Sequence, residues 1–157
     1  MTGAGAIGAA PTMPGVTQPP RDSTAYAFIH PVRTRFAETD AMGVVHHASY
    51  LLYLEEARVA WLRSLGNPYA EMRADGIDIA VLHVEATYLR AVRFDEVVDV
   101  ALRPADLRRA TFGIEYLLTV DGEPRATARS RHGCVDAQGR AARMPAALAG
   151  LLASHPA

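Results

Sequence analysis

The residues whose types and spacing could do chemistry lie between Phe36 and Arg58, in the run FAETDAMGVVHHASYLLYLEEAR. Asp40 opens the segment Asp40-Ala41-Met42-Gly43. Asp at the first position and Gly at the fourth predict a type I turn. Val44 and Val45 then lead the chain inward. His46, His47 and Ser49 stand where a helix should begin, because Tyr50-Leu51-Leu52-Tyr53-Leu54 follows directly. A helix N-terminus carries unpaired N–H groups and a partial positive charge. A carboxylate is therefore expected a few residues from donors that can hold an oxygen on which negative charge develops. That arrangement suits attack on a carbonyl carbon. Asp40 would act either as the nucleophile or as the base that takes a proton from water.

Each of these residues also has a plainer use. Asp commonly starts turns for structural reasons alone. Glu38, the nearest rival carboxylate, ends an expected strand and reads as a solvated or ion-paired side chain. Adjacent histidines diverge on most backbones, and no third ligand stands at a metal-binding spacing from His46-His47, so no metal site is expected. The helix dipole should disfavour a charged His47 ring, leaving a neutral imidazole that can bond water or Asp40. Glu55 and Arg58, three apart, suggest an ion pair on the helix surface rather than a second acid–base set. Tyr50 and Tyr53 read as core or pocket wall. Cys134 reads as a small packed strand residue.

The elements that must position these groups follow from the rest of the chain. With 157 residues and a net charge of -1, the chain is long enough for one cored domain and carries no field that would draw it to nucleic acid or an anionic membrane. The scattered arginines have no aromatic platform beside them, which again argues against nucleic acid. A single cysteine excludes an internal disulfide and suits a reducing, cytoplasmic setting. No apolar run is long enough for a membrane span, and the N-terminus lacks the pattern of a signal peptide. Residues 1–24, rich in Gly, Ala, Pro and Thr, are expected to be a disordered leader, with one domain over 25–157. Phe28 to Glu38 alternates as a strand. Tyr50 to Leu65 reads as a helix, apolar nearly all round and hence buried, stopped by Gly66. Tyr69 to Ala74 is expected to add a short helical turn. Strands are expected over 77–91, 96–102, 110–120 and 125–136, with Asp121-Gly122 a hairpin turn and Asp136-Ala137-Gln138-Gly139 another turn. A last helix is expected over 145–152. One apolar helix followed by a strand meander implies a single sheet around that helix, with a Val/Leu-rich edge open to a second subunit.

With these elements in place, Phe36-Ala-Glu-Thr-Asp40-Ala-Met-Gly43-Val-Val-His-His47-Ala-Ser-Tyr50, followed by Glu55-Glu56-Ala57-Arg58, resembles the hotdog-fold acyl-CoA thioesterases. It is most similar to the 4-hydroxybenzoyl-CoA thioesterase branch, which includes the Tol–Pal-associated enzymes. Tyr88-Leu-Arg90-Ala-Val-Arg93-Phe-Asp95 is similar to the family's second stretch, with Ala91 and Val92 where the family often has Pro. The resemblance spans about Phe28 to Asp136. It implies an α+β hotdog fold, an antiparallel sheet wrapped around one long central helix. It implies that Asp40 is the catalytic carboxylate and that the His47 N–H polarises a thioester carbonyl. Gly43, Val44 and Tyr50 would line the substrate. The pair Arg108-Arg109 is similar to a basic cluster that meets nucleotide phosphates, although Ala110 stands where that cluster has a third cation. The implied substrate is an acyl-CoA, hydrolysed without metal or redox cofactor in a homodimer or homotetramer. The alternatives are a hotdog hydratase or dehydratase of acyl thioesters, and a non-catalytic acyl-CoA binding protein.

Overall fold

The computed structural model describes residues 17–66 and 68–155. Five strands form one antiparallel sheet: β1 (Phe28–Arg33), β2 (Asp78–Tyr88), β3 (Val97–Ala105), β4 (Thr111–Val120) and β5 (Glu123–Val135). Their order across the sheet is β1-β3-β4-β5-β2, so β1 and β2 are the edges. Helix α1 (Ser49–Ser64) crosses one face, joined by the short α2 (Pro68–Ala74) and the terminal α3 (Ala146–Ala153).

Alternation decides which side chains meet α1. Val98, Val100 and Leu102 of β3 share a core with Phe112, Ile114, Tyr116 and Leu118 of β4. Ala126 and Ala128 of β5 are small beneath the helix, which leaves room for Tyr53, Ala57 and Trp61 to come down on the sheet. Burying each large apolar side chain in this way contributes about 1.5–3 kcal/mol. Leu148 and Leu152 of α3 close the same core. The Asp121-Gly122 hairpin forms as expected, with φ of 51° and 77° at its two central residues.

The opposite face carries a second cluster of Tyr26, Ala101 and Leu117. Beside it Glu115 is gripped by Arg103 at 2.7 Å and also by Arg129. Residues 1–16, most of the expected leader, lie outside the described residues. Of the remainder, Pro19 is buried and Pro20 O accepts the Tyr26 hydroxyl at 2.7 Å.

Two expectations are corrected. The first strand stops at Arg33, and Phe36–Glu38 is a 3-10 turn rather than strand. Glu38 drives this change, because its carboxylate reaches back to the Arg35 N–H at 2.8 Å and coils the segment. Helix α1 is buried on one face only, through Tyr50, Tyr53, Leu54, Ala57, Trp61 and Leu62. Leu52 is 54% exposed, because one sheet can cover only one side of a helix.

Candidate active site

Asp40 sits on a turn that Thr39 and Val45 close as an antiparallel bridge. The Gly43 N–H donates to Asp40 O at 2.9 Å, and the Asp40 N–H to Val44 O at 2.9 Å. Gly43 has φ +72°, so a type I turn is followed by a glycine bulge. A Cβ there would meet nothing within 4 Å, so the backbone conformation alone calls for glycine. Val44 bridges to Arg93, and the Val45 N–H donates to Val92 O at 2.7 Å, which ties the turn to the segment leaving β2. Asp40 Oδ1 accepts the Met42 N–H at 2.8 Å. Its second oxygen has no hydrogen-bond partner among the described residues, and the side chain is partly exposed.

At the entry to α1 the His47 N–H is left free. His46 O accepts the Ser49 N–H at 2.9 Å, which fixes the peptide between His46 and His47. In a trans peptide the N–H points opposite to the C=O, so the His47 N–H is directed away from the helix. Among the described residues it has no acceptor. The next peptide is held by Tyr88, whose hydroxyl donates to His47 O at 2.9 Å. His46 Nδ1 accepts the Ala48 N–H at 3.2 Å just ahead of the helix, whose N-cap, Ala48, makes no side-chain cap. The His47 ring packs on His46 with centroids 4.0 Å apart, and no hydrogen bond to Asp40 forms. Tyr50 is buried, edge-on to Tyr88 at 5.0 Å, and burial pushes its hydroxyl up to about 12.

Glu38 is tied into the surrounding structure. It is buried, it accepts the Tyr53 hydroxyl at 2.6 Å, and it holds the Arg35 guanidinium at 2.7 Å through Nε. Burial works to raise its carboxyl, but the bonds from the Arg35 backbone, Tyr53 and the Arg35 side chain outweigh it and keep the pKa below the ordinary value. Its own carbonyl accepts the His46 N–H at 2.8 Å. Glu38 thus joins the approach to Asp40 with the start of α1. The expected Glu55–Arg58 pair is absent. Glu56 instead reaches His30 on β1 at 3.1 Å, and the half-buried Arg58 bears electrostatically on His132 and Tyr116.

That neighbourhood was not visible in the sequence. His132 is 1% exposed, stacked on Phe112, and bonds Ser130 Oγ at 2.7 Å, which in turn meets the Tyr116 hydroxyl at 3.1 Å. Burial first, and Arg58 second, push its pKa down to about 4. A small-residue pattern at Ala126, Ala128 and Ser130 was the one available signal that β5 faces inward there.

Asp40, Gly43, Val44, His47 and Tyr50 thus lie on one continuous stretch, from the Asp40 turn into the first turn of α1. Arg108 and Arg109 are not with them. They lie in the loop from β3 to β4, at the end of the sheet where Thr111 pairs with Gly133 and Asp78 with Val135. Asp40 lies at the other end, near Val92 and the start of β3. Nine residues of β3 separate the two ends, which is roughly 30 Å of extended chain. Among the described residues, no group of three His, Cys, Asp or Glu side chains is placed to hold a metal ion. No helix is long and apolar enough to cross a membrane.

A five-stranded antiparallel sheet around one long helix, with a carboxylate turn ahead of that helix, is the hotdog architecture. The model of the thioesterase-like superfamily matches residues 34–152, and the chain belongs to that superfamily; it is a thioester hydrolase. A 1,4-dihydroxy-2-naphthoyl-CoA hydrolase from Synechococcus elongatus is 32% identical over 68% of this chain and 79% of its own. The acyl-CoA thioesterase YbgC of Haemophilus influenzae is 30% identical over 69% of this chain and 81% of its own. The crystal structure of a hypothetical protein from Thermus thermophilus, 37% identical, superposes with a TM-score of 0.77 over 82% of this chain and 98% of that one.

Proposed function

We propose that the protein is an acyl-CoA thioesterase of the 4-hydroxybenzoyl-CoA thioesterase branch, acting in the cytoplasm. The observation that carries this reading is the free carboxylate oxygen of Asp40, on the turn that leads into α1, where the His47 N–H is left without an acceptor among the described residues. The thioester carbonyl accepts from the His47 N–H, which holds charge as the carbon becomes tetrahedral. Gly43, Val44 and Tyr50 bound the acyl end. Two routes fit the geometry. As a base, Asp40 takes a proton from water as the water oxygen bonds the carbonyl carbon, and the proton passes to the departing CoA sulfur. As a nucleophile, Asp40 bonds the carbon, the CoA thiolate leaves, and water then opens the mixed anhydride. Both give a free acid and CoA.

The working unit in this reading is a homodimer, or a homotetramer built from it, formed by antiparallel pairing of β2 with a second β2. The support is the open edge of β2, where Val81 is 57% and Leu82 is 53% exposed. Antiparallel pairing also brings the partner's Arg108–Arg109 end to this subunit's Asp40 end. There the two arginines meet CoA phosphates that they could not reach from within one chain.

The test is release of CoA, followed with a thiol reagent, from a panel of short, medium, long and aromatic acyl-CoAs. Turnover on at least one is expected. No release from any, together with an absorbance change on enoyl-CoA, would make the protein a hydratase instead.

A further inference from the structure

Two ties set α1 along the edge of the sheet. At its start the Tyr88 hydroxyl holds His47 O at 2.9 Å, and Tyr88 pairs with Ala126. About three turns on, the half-buried Arg58 lies close enough to His132 and Tyr116 to bear on both. The helix therefore runs beside β5 from Ala126 toward His132. Between the ties the sheet offers Ala128, paired with Ala86, and then Ser130, paired with Val84 on the open edge strand. Small side chains near Tyr88 thus give way to polar ones near Arg58.

That polar end is incomplete. Among the described residues the Tyr116 hydroxyl has no partner but Ser130 Oγ, so its proton lies on that 3.1 Å bond. Ser130 then donates to His132 Nε2 at 2.7 Å. His132 is neutral when folded, so its ring proton is on Nδ1. That N–H is buried with nothing to accept it. Glu56, two residues before Arg58, is taken by His30 at 3.1 Å, and Arg58 is left without an ion pair among the described residues. Two donors, one of them charged, stand close together with no acceptor.

A buried donor without a partner is costly, and a guanidinium is best matched by a planar carboxylate. We infer that this is the far end of the acyl pocket, and that the acyl group it takes ends in a carboxylate held by Arg58 and the His132 N–H. This rests on the acyl-CoA reading above, in which the carbonyl lies at the His47 N–H. A hydroxyl end would bring a further donor hydrogen to groups that lack acceptors, and a methyl end would leave both donors unpaired. The axis of α1 rises about 14 Å from Ser49 to Arg58, and the arginine side chain leans back toward the helix start, so a chain of medium length spans the gap.

The test titrates the full-length protein calorimetrically with two thioether analogues, S-octyl-CoA and its counterpart with a carboxylate at the chain end, so the readout needs no turnover. Wild type is expected to bind the carboxylate analogue roughly ten- to hundredfold more tightly. Arg58→Gln should erase that ratio, and Arg58→Lys should recover part of it. His132→Phe, which keeps a ring on Phe112 and loses the N–H, should lose part of it. Arg63→Gln, an exposed arginine further along α1, should keep the wild-type ratio. Equal affinity for the two analogues in wild type overturns the inference, as does a preference that survives Arg58→Gln, or a wild type that binds neither analogue. A chain-end hydroxyl analogue that binds as tightly as the carboxylate overturns it too. CoA release from octanoyl-CoA and octanedioyl-CoA is measured alongside. A wild type that shows the preference and releases CoA from neither would uphold the carboxylate end and overturn the thioesterase reading alone.

Discussion

Asp40 and Asp136 open turns of the same build, and they differ in what their carboxylates hold. Each is followed three residues on by a left-handed glycine, Gly43 at φ +72° and Gly139 at φ +75°. Each glycine N–H donates to its aspartate carbonyl, at 2.9 and 2.8 Å respectively. Asp136 commits both carboxylate oxygens: Oδ1 accepts the N–H groups of Gln138 and Arg140 at 2.9 Å, and Oδ2 accepts Arg140 Nε at 3.0 Å. Asp40 commits one, to Met42. The turn explains Asp136 completely, but it uses only half of Asp40.

The first prediction uses that contrast. Asp136→Asn should keep kcat within about a factor of two, since the turn carries no reacting group. The bond from the Arg140 backbone, then the Arg140 side chain and Gln138, hold the Asp136 carboxyl below its ordinary value. Its contribution to stability is therefore present above the unfolded carboxyl range and is lost as pH falls through it. Thermal midpoints should differ from wild type at pH 7 and converge near pH 3. A large loss of kcat with an intact midpoint would give Asp136 a role it is not assigned here.

Tyr53→Phe should loosen the approach to Asp40. It removes the 2.6 Å donor to the buried Glu38, at a cost of about 1–3 kcal/mol. Glu38 is held below its ordinary value, so this stabilisation is present above the unfolded carboxyl range and lost as pH falls below it. The drop in thermal midpoint should be larger at pH 7 than at pH 3. An equal drop at both would mean that Tyr53 acts through packing alone.

Much of this arrangement was legible from local pattern. The Asp40 turn, the helix that follows it and the Asp121-Gly122 hairpin each depend on a few neighbouring residues, so sequence carries them. What it does not carry is set by contacts across the chain. Glu38 reads as solvated until Tyr53 of α1 is seen to reach it. Glu55 and Arg58 read as a helix pair until β1 offers His30 to Glu56 and the sheet draws Arg58 toward His132. Alternation placed the inward residues of β4 and β5 correctly, but a histidine at an inward position gives no sign of its partner. The separation of Arg108–Arg109 from Asp40 is a property of topology, and no motif spacing reports it.

The β2 edge yields a third prediction. Val84 pairs with Ser130 in register, on the α1 face of the sheet, at the open edge. Val84→Lys should place a charge in the proposed subunit contact, shift sedimentation toward monomer and reduce kcat/KM by at least about tenfold through loss of the shared site. A monomer with full activity would remove the shared-site assignment.

His132 should shape the acid limb of stability. Burial, with Arg58 adding to it, lowers its pKa from 6.5 to about 4, so it is neutral when folded. Between those values the unfolded chain binds a proton that the folded chain does not, so stability falls as pH falls, by at most about 1.4 kcal/mol per unit. His132→Asn, which can still bond Ser130, should be less stable at neutral pH but show a flatter decline between pH 6.5 and 4. Parallel declines would assign the acid limb to the carboxylates alone.

The most direct test is the rate of Asp40→Asn. Asn matches Asp in size and can still open the turn through Oδ1, so oligomer size and thermal midpoint should match wild type. It can neither attack the carbonyl nor accept a proton at neutral pH, so kcat on the best acyl-CoA should fall by roughly 10²–10⁴ while CoA affinity is kept. His47→Ala, measured alongside, should cost far less, because the backbone N–H remains. An Asp40→Asn enzyme that retains near wild-type kcat would contradict the assignment of Asp40 and turn attention to Glu55 and Glu56 on α1.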